Sequence, residues 1–246
     1  MVLRFFGMLA VVLTLLTIGL GAHVRVSDAG LGCPAWPGCF GRELSREELH
    51  SPVGGTRNPP LNVAQVRIDI ETHRYSAGIV GLVIPILAAL VWTLPRNRVP
   101  AMLWAMASLA IVIAQAVLGL WVLELRLRPL LMTGHLLLGF ALLVSAYRFF
   151  LAVGPAHGPA GTGAWPRWLA RLALLLLVSQ LAFGGWTSSH FAGLACPDLP
   201  RCLGQAWPGF DFRKSFTLWR HAPVNGMEDL PPLEDRAAIH WAHRVG

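Results

Sequence analysis

Two pairs of cysteines are the residues of this chain with the clearest capacity for chemistry. Cys33 and Cys39 enclose five residues, two of them proline, and Cys196 and Cys202 enclose a similar loop 163 positions later. A loop this short can bring two Cα atoms within disulfide reach. The spacing leaves three uses open: structural disulfides, thiol–disulfide exchange, and a four-cysteine zinc site, whose ligands are normally closer in sequence.

Histidines are the second group of candidates, because several lie where long apolar segments begin or end, or just inside one: His23, His73, His135, His190, His240 and His243. Neutral imidazoles that project from separate helices into a bundle can hold a haem iron between two axial nitrogens. On this interpretation His73 pairs with His135, and His243 pairs with a histidine near position ~305, beyond this chain. A single histidine in an apolar helix is more often a structural group, so the prediction rests on several at one depth.

Two acidic residues precede His73 at different angles around the predicted helix. Asp69 lies four residues before the histidine and shares its face, whereas Glu71, two residues before it, points elsewhere. Either carboxylate could accept a proton or orient a water molecule beside a bound iron. Solvated charge at a helix N-terminus is the alternative.

These candidates belong to an internal duplication. His73-Arg74 recurs as His243-Arg244 after 170 positions, an offset close to that of the cysteine loops. We therefore predict a first half at residues 1–155, with four helices and an outer cysteine loop, and the start of a second half at residues 165–246. The second half is expected to be incomplete, because the chain stops shortly after the second His-Arg.

The elements that must carry these residues are membrane helices. The 246-residue chain is 54% hydrophobic and 13% charged, with a mean hydropathy of +0.54, which excludes an ordinary soluble domain. Five apolar stretches are each near the roughly 20 residues that cross about 30 Å of hydrocarbon: residues 5–24, 75–95, 101–123, 130–147 and 172–187. A sixth would begin near residue 237. The predicted fold is all-α, a polytopic membrane helix bundle.

The net charge of +7 comes mainly from arginines near the predicted span ends. The positive-inside rule places the N-terminus in the cytoplasm and both cysteine loops outside, where disulfides persist. Anchoring to lipid headgroups explains this charge better than nucleic-acid binding, because the sequence has no soluble basic module. Some arginines could instead hold the carboxylates of a ligand in bidentate contacts.

Several segments of the chain occur together in one known family. They are the first cysteine loop with the Gly-Leu-Gly before it, His73-Arg74, Gly-Leu-Trp at 119–121, Thr-Gly-His-Leu at 133–136, the second cysteine loop, and His-Trp-Ala-His-Arg at 240–244. Together they resemble haem A synthases over essentially the whole chain. The resemblance implies an eight-helix membrane fold of two pseudo-symmetric four-helix halves, of which the second is incomplete here.

The family resemblance also implies an oxidoreductase, which oxidises a methyl group of haem O to a formyl group with water as the oxygen source. The product, haem A, serves cytochrome oxidase. His73 and His135 would bind the substrate, and His243 would be one ligand of a resident haem b. Cys33 and Cys39 would pass electrons or form a transient covalent link.

The expected setting is the bacterial inner membrane, with several spans and periplasmic cysteine loops. Disulfides are expected within each pair, Cys33 with Cys39 and Cys196 with Cys202. Expected partners are membrane lipid, haem O synthase or electron-transfer proteins, and a second copy of the chain, but no nucleic acid.

Two departures from the family pattern matter. The family usually has a glutamate three residues before the first histidine, where this chain has Ile70. Glu71 is therefore the predicted catalytic carboxylate and Asp69 the alternative. The chain also stops before the last three expected helices, so one copy is predicted to be inactive unless a partner chain supplies them.

Two other functions remain open. A membrane thiol oxidoreductase that passes electrons from outer cysteines to a quinone explains the cysteine loops, but gives no role to His135 and His243. A b-type cytochrome that only relays electrons explains the histidines, but leaves the repeated cysteine loops without a purpose.

Overall fold

The regular elements of the described chain are helices. The computed structural model describes residues 2–27, 63–93, 99–125, 128–155, 164–206, 209–219 and 230–246. In these ranges the helices are α1 (Val2–Val26), α2 (Val63–Leu90), α3 (Val99–Glu124), α4 (Pro129–Ala152), α5 (Ala164–Ser189), α6 (Phe212–Ser215) and α7 (Leu233–Val245). A 3₁₀ turn, Val91–Thr93, follows α2. The predicted all-α fold is confirmed.

Five segments are long and apolar enough to cross a membrane: Val2–Val26, Ala64–Thr93, Val99–Val122, Pro129–Ala152 and Trp165–Ser189. A helix satisfies its backbone hydrogen bonds internally, as a hydrocarbon environment requires. The five predicted spans are confirmed, and the chain is a multi-pass membrane protein. The expected start of a sixth span corresponds to α7, which has 13 residues.

The second span begins earlier than its apolar stretch indicated. The stretch starts at residue 75, whereas α2 starts at Val63 and already includes Asp69, Glu71 and His73. Pairing within the helix helps these polar turns to stay helical, since Arg67 Nε donates to Glu71 Oε1 at 2.9 Å. The two candidate catalytic carboxylates and the candidate ligand His73 therefore lie on one continuous helix.

One compact unit comprises residues 1–123 and 138–158. Its core lies between α1, α2, α3 and the later part of α4, and includes the fully buried Ile84, Leu87 and Phe149. Gly7 lets α1 approach α4 closely, because a Cβ there would lie 3.2 Å from the Phe149 ring. In the same unit α1 packs along α2, which carries His73.

The other compact unit comprises residues 124–137 and 159–246, and so includes the start of α4 with His135. In this unit α7 packs against α5 and α6. Trp186 of α5 stacks on Phe216, with 6.2 Å between ring centroids, and is buried with Ile239 of α7. These contacts fix the helix that carries His243.

Candidate functional site

His73 is held by α1 in a form suited to bind a metal. Its Nδ1 lies 3.2 Å from the backbone oxygen of Thr17. A carbonyl oxygen only accepts hydrogen bonds, so Nδ1 carries the proton and Nε2 keeps its lone pair. A histidine that ligates a metal through one ring nitrogen commonly donates from the other to such a carbonyl.

Gly21 makes this close approach of α1 to α2 possible. A Cβ at position 21 would lie 2.9 Å from Cε1 of His73. Side-chain carbons do not come this close without a shift of one partner. Only glycine therefore leaves the imidazole in its place.

The second unit repeats the arrangement with α5 and α7. A Cβ on Gly184 would lie 3.4 Å from Cε1 of His243, and Gln180 Nε2 donates to the His243 backbone oxygen at 3.3 Å. Gly184 follows Gly21 by the same 163 positions that separate the cysteine loops, and His243 follows His73 by 170. The duplication in the sequence thus extends to contacts between helices.

The ring of His243 lies against α5 at Gly184. Nδ1 of His243 and Nε1 of Trp186 are buried and have no hydrogen-bond partner among the described residues. Gly184 adds no side chain beside the ring. A neutral imidazole nitrogen with no hydrogen-bond partner can serve as a ligand of haem iron.

His135 lies on α4 in the second unit, where α4 meets α5. A Cβ on Gly185 would lie 3.1 Å from Leu136 and 3.2 Å from Thr133, so the two helices are in close contact around the histidine. His73 belongs to the first unit. The pairing of His73 with His135 therefore stays a prediction.

Asp69 is a buried carboxylate one helical turn before His73. It is 7% exposed, and its Oδ1 accepts a hydrogen bond from Gln65 Nε2 at 2.8 Å. The same oxygen lies 3.5 Å from Nε2 of His23 on α1. Its Oδ2 is buried, and the described part of the chain offers it no partner. One oxygen of this group is therefore uncommitted.

Glu71 has a different environment. It forms an ion pair with Arg67, whose side chain is substantially exposed. The sequence predicted both Asp69 and Glu71 as candidates, and showed only which of them shares a helical face with His73. The structure adds that Glu71 has a cationic partner on its own helix, whereas Asp69 faces α1.

The second cysteine loop is closed by a disulfide. Cys196 and Cys202 are bonded, with Cα atoms 4.7 Å apart, which confirms the predicted pair. Neither sulfur is then available as a zinc thiolate. Cys33 and Cys39 lie outside the described residues, so their disulfide stays a prediction.

Asp198 shapes the loop between these cysteines. Its carboxylate accepts hydrogen bonds from the backbone amides of Leu203 and Gly204, each at 2.9 Å. These bonds, first of all the one from Gly204, hold the pKa of the Asp198 carboxyl below its usual range. Gly204 has a φ of 79°, a left-handed conformation that glycine adopts at little cost.

Arg244 and His240 of α7 anchor the loop to the helix. Arg244 Nη2 donates to the Cys196 oxygen at 2.6 Å, and Nη1 donates to the Asp198 oxygen at 2.7 Å and the Arg201 oxygen at 3.3 Å. His240 Nδ1 accepts from the Cys196 amide at 3.1 Å. Sequence reasoning missed this role of the arginine, although the repeated His-Arg was a signal for it.

Arg128, just before α4, is a second functional candidate that sequence reasoning did not single out. Its Nε and Nη1 are shielded from solvent and have no hydrogen-bond partner among the described residues. The guanidinium lies over Trp219, 4.3 Å from the ring centroid. The sequence feature that could have identified Arg128 is its spacing of seven residues from His135, which places both on one helical face.

Comparisons with known proteins cover nearly all of the chain. The model of the COX15-CtaA family, described as cytochrome oxidase assembly protein, matches residues 4–246. A heme A synthase of Shewanella oneidensis is 31% identical over 97% of this chain and 72% of its own length.

Two further relatives show the same pattern at lower identity. A heme A synthase of Shouchella clausii is 27% identical over 84% of this chain and 65% of its own length. One of Halalkalibacterium halodurans is 26% identical over 99% of this chain and 70% of its own length. The chain thus spans about two thirds of the length of these two relatives.

Proposed function

Because the chain belongs to the COX15-CtaA family of cytochrome oxidase assembly proteins, we propose that it converts haem O to haem A. The reaction turns a methyl group of the porphyrin into a formyl group, takes oxygen from water, and releases protons and electrons. The observation that carries the proposal is the repeated contact of a glycine with a histidine on the facing helix, Gly21 with His73 and Gly184 with His243. Each half thereby presents one imidazole from the same place in its bundle.

We assign one role to each of three histidines. His73 and His135 bind the substrate haem O, and His243 is one ligand of a resident haem b. A bound haem supplies an iron centre that takes up and passes on electrons. The Thr17 carbonyl supports the role of His73, because it fixes the ring and leaves Nε2 free.

Asp69 is the proposed acceptor for a proton that leaves the reacting centre. It lies one turn from His73, and its Oδ2 has no partner among the described residues. Its Oδ1 lies 3.5 Å from Nε2 of His23 on α1, so the imidazole offers the proton a next acceptor. Glu71, the carboxylate named from sequence, is the second candidate, and its ion pair argues against it.

The two cysteine loops are proposed to differ in role. Cys33 and Cys39 act in electron passage or a transient covalent link, whereas the Cys196–Cys202 disulfide is structural. Its anchoring by Arg244 supports a structural part. Both loops are placed on the periplasmic side and the N-terminus in the cytoplasm, with haem O synthase and electron-transfer proteins as partners.

The proposal is tested by the visible spectrum of the purified full chain. We expect a Soret band with the features of histidine-ligated haem, and we expect His243→Ala to remove the haem b component. His157→Ala is the matched control, since this histidine lies outside the predicted spans.

Two outcomes would favour the competing functions. A protein without a Soret band, but with thiol-dependent quinone reduction, would be the thiol oxidoreductase. A protein that binds haem and never turns over haem O, even when a partner chain supplies the last three expected helices, would be the electron relay. Either result would contradict the proposed synthase.

A further inference from the structure

The strongest unexplained feature of the second unit is the half-buried guanidinium of Arg128. Two of its nitrogens are shielded from solvent and have no acceptor within the described residues. The ring of Trp219 covers one face of the guanidinium at 4.3 Å but accepts no in-plane hydrogen bond. A buried charge without an opposite charge is strongly unfavourable, so this site is suited to an anion.

The position of Arg128 relates it to His135. Its backbone oxygen accepts a hydrogen bond from the Met132 amide, which closes the first turn of α4. His135 follows seven residues later, about two helical turns or roughly 10 Å along the axis, on the same face. Both residues belong to the same compact unit.

We propose that Arg128 binds a propionate carboxylate of the porphyrin that His135 ligates. A haem carries its carboxylates on one edge, several ångströms from the iron. Arginine presents its N–H groups in a planar fork that matches a carboxylate. Nε and Nη1 of Arg128 lie on different edges of that fork, so each of them offers a carboxylate one charge-assisted hydrogen bond. The inference rests on the proposed function, because it needs a haem at His135.

A membrane offers a second source of anionic oxygens, the phosphate of a lipid headgroup. Arg128 lies at the end of a span, where such headgroups occur. Burial of Nε and Nη1 favours a ligand that enters the bundle with the porphyrin. The experiment must therefore separate carboxylate from phosphate.

The test is a spectral titration of the full chain in zwitterionic detergent without anionic lipid. The probes are an iron porphyrin with free propionates and its dimethyl ester, followed by the Soret band. The relevant binding phase is the one that His135→Ala removes. We expect the wild type to bind the free acid roughly tenfold more tightly or better than the ester, as one or two charge-assisted hydrogen bonds predict.

Arg128→Gln should lower the affinity for the free acid to that for the ester, and leave the ester affinity unchanged. Arg128→Lys, which keeps the charge without the fork, should retain part of the preference and provides the test should the glutamine variant not fold. Arg148→Gln is the matched control. Arg148 lies at the other end of the same helix, over Trp104 at 5.4 Å, and is exposed.

Three results would overturn the inference. Arg128 variants could bind both porphyrins as the wild type does, or could lose affinity for both equally. Alternatively, added phosphatidylglycerol could abolish the wild-type preference for the free acid, which would assign the site to phosphate. A wild type that binds no porphyrin at all would instead contradict the proposed function itself.

Discussion

At the scale of single residues, contacts distinguish two carboxylates that sequence leaves close to equivalent. Helical periodicity shows that Asp69 shares a face with His73 and that Glu71 does not. The i, i+4 spacing already permits the ion pair of Arg67 with Glu71. It does not reveal that Asp69 meets His23 on another helix. Such pairings depend on which helices are adjacent and on side-chain rotamers. The proposed role of Asp69 therefore rests on contacts that the residue pattern alone did not provide.

Asp69→Asn should lower haem A formation by about 100-fold, the usual effect of removing a general base. The amide keeps the size of the side chain but cannot take up a proton. Haem A is measured by chromatography of haems extracted from membranes that contain haem O. Glu71→Gln is the matched variant and should lose far less activity.

The haem spectrum of Asp69→Asn must remain that of the wild type, which separates lost proton transfer from lost binding. Equal losses in the two variants, or a greater loss in Glu71→Gln, would refute the role of Asp69 and restore the carboxylate named from sequence.

At the scale of helices, glycines set the distance between the elements that carry the histidines. Gly21→Ala would force Cβ to 2.9 Å from the His73 ring, so either the ring or α1 must shift. Overpacking of this kind costs roughly 1–3 kcal/mol. We expect Gly21→Ala to alter the spectrum and retention of porphyrin bound in the first half.

Gly184→Ala should be milder, because its Cβ would stand 3.4 Å from the His243 ring, an ordinary contact. Gly19→Ala is the control on the same helix as Gly21, since its Cβ would meet nothing within 4 Å. Similar spectra for Gly19→Ala and Gly21→Ala would show that close approach of α1 does not position His73.

The second cysteine loop is held in place by contacts with α7. Arg244→Gln removes donors to three backbone oxygens of the loop, so the disulfide should be reduced roughly tenfold faster by a soluble phosphine. Alkylation of the freed thiols, followed by mass spectrometry, measures the rate. Arg213→Gln, at an exposed position on α6, is the control, and an unchanged rate in Arg244→Gln would rule out the anchor.

The loop should also respond to pH through Asp198. Its pKa is lowered in the folded state, so its hydrogen bonds to the two amides contribute at pH values above the ordinary aspartate range. The contribution is lost as the pH falls through the lowered pKa. The reduction rate should therefore rise at strongly acidic pH in the wild type, and Asp198→Asn should remove this rise.

At the scale of the whole molecule, hydropathy predicted the five spans because membrane helices differ from soluble ones in apolar length. It placed the start of the second span too late, since the polar turns with Asp69 and Glu71 interrupt the apolar run without interrupting the helix. The contact of Arg244 with the second cysteine loop was not predicted from the sequence for a different reason. The chain brings Arg244 to Cys196 from 48 residues away, and no local pattern encodes that contact.

The duplication connects the three scales. It is visible in the sequence as two offsets, and in the structure as the same glycine–histidine contact in each half. We propose that His243 binds a haem, and its Nδ1 is buried with no hydrogen-bond partner among the described residues. The account as a whole therefore depends on whether these imidazoles serve porphyrin chemistry.

The most direct measurement is the haem content of cells that make haem O, lack their own synthase and express the full chain together with a partner chain that supplies the last three expected helices. Extracted haems are separated by chromatography, with His73→Ala, His135→Ala and His157→Ala expressed in parallel. We predict haem A in the wild type and in His157→Ala, and its loss in the other two with the protein still inserted in the membrane. Wild-type levels of haem A in His73→Ala, or no haem A with the wild-type chain, would contradict the account.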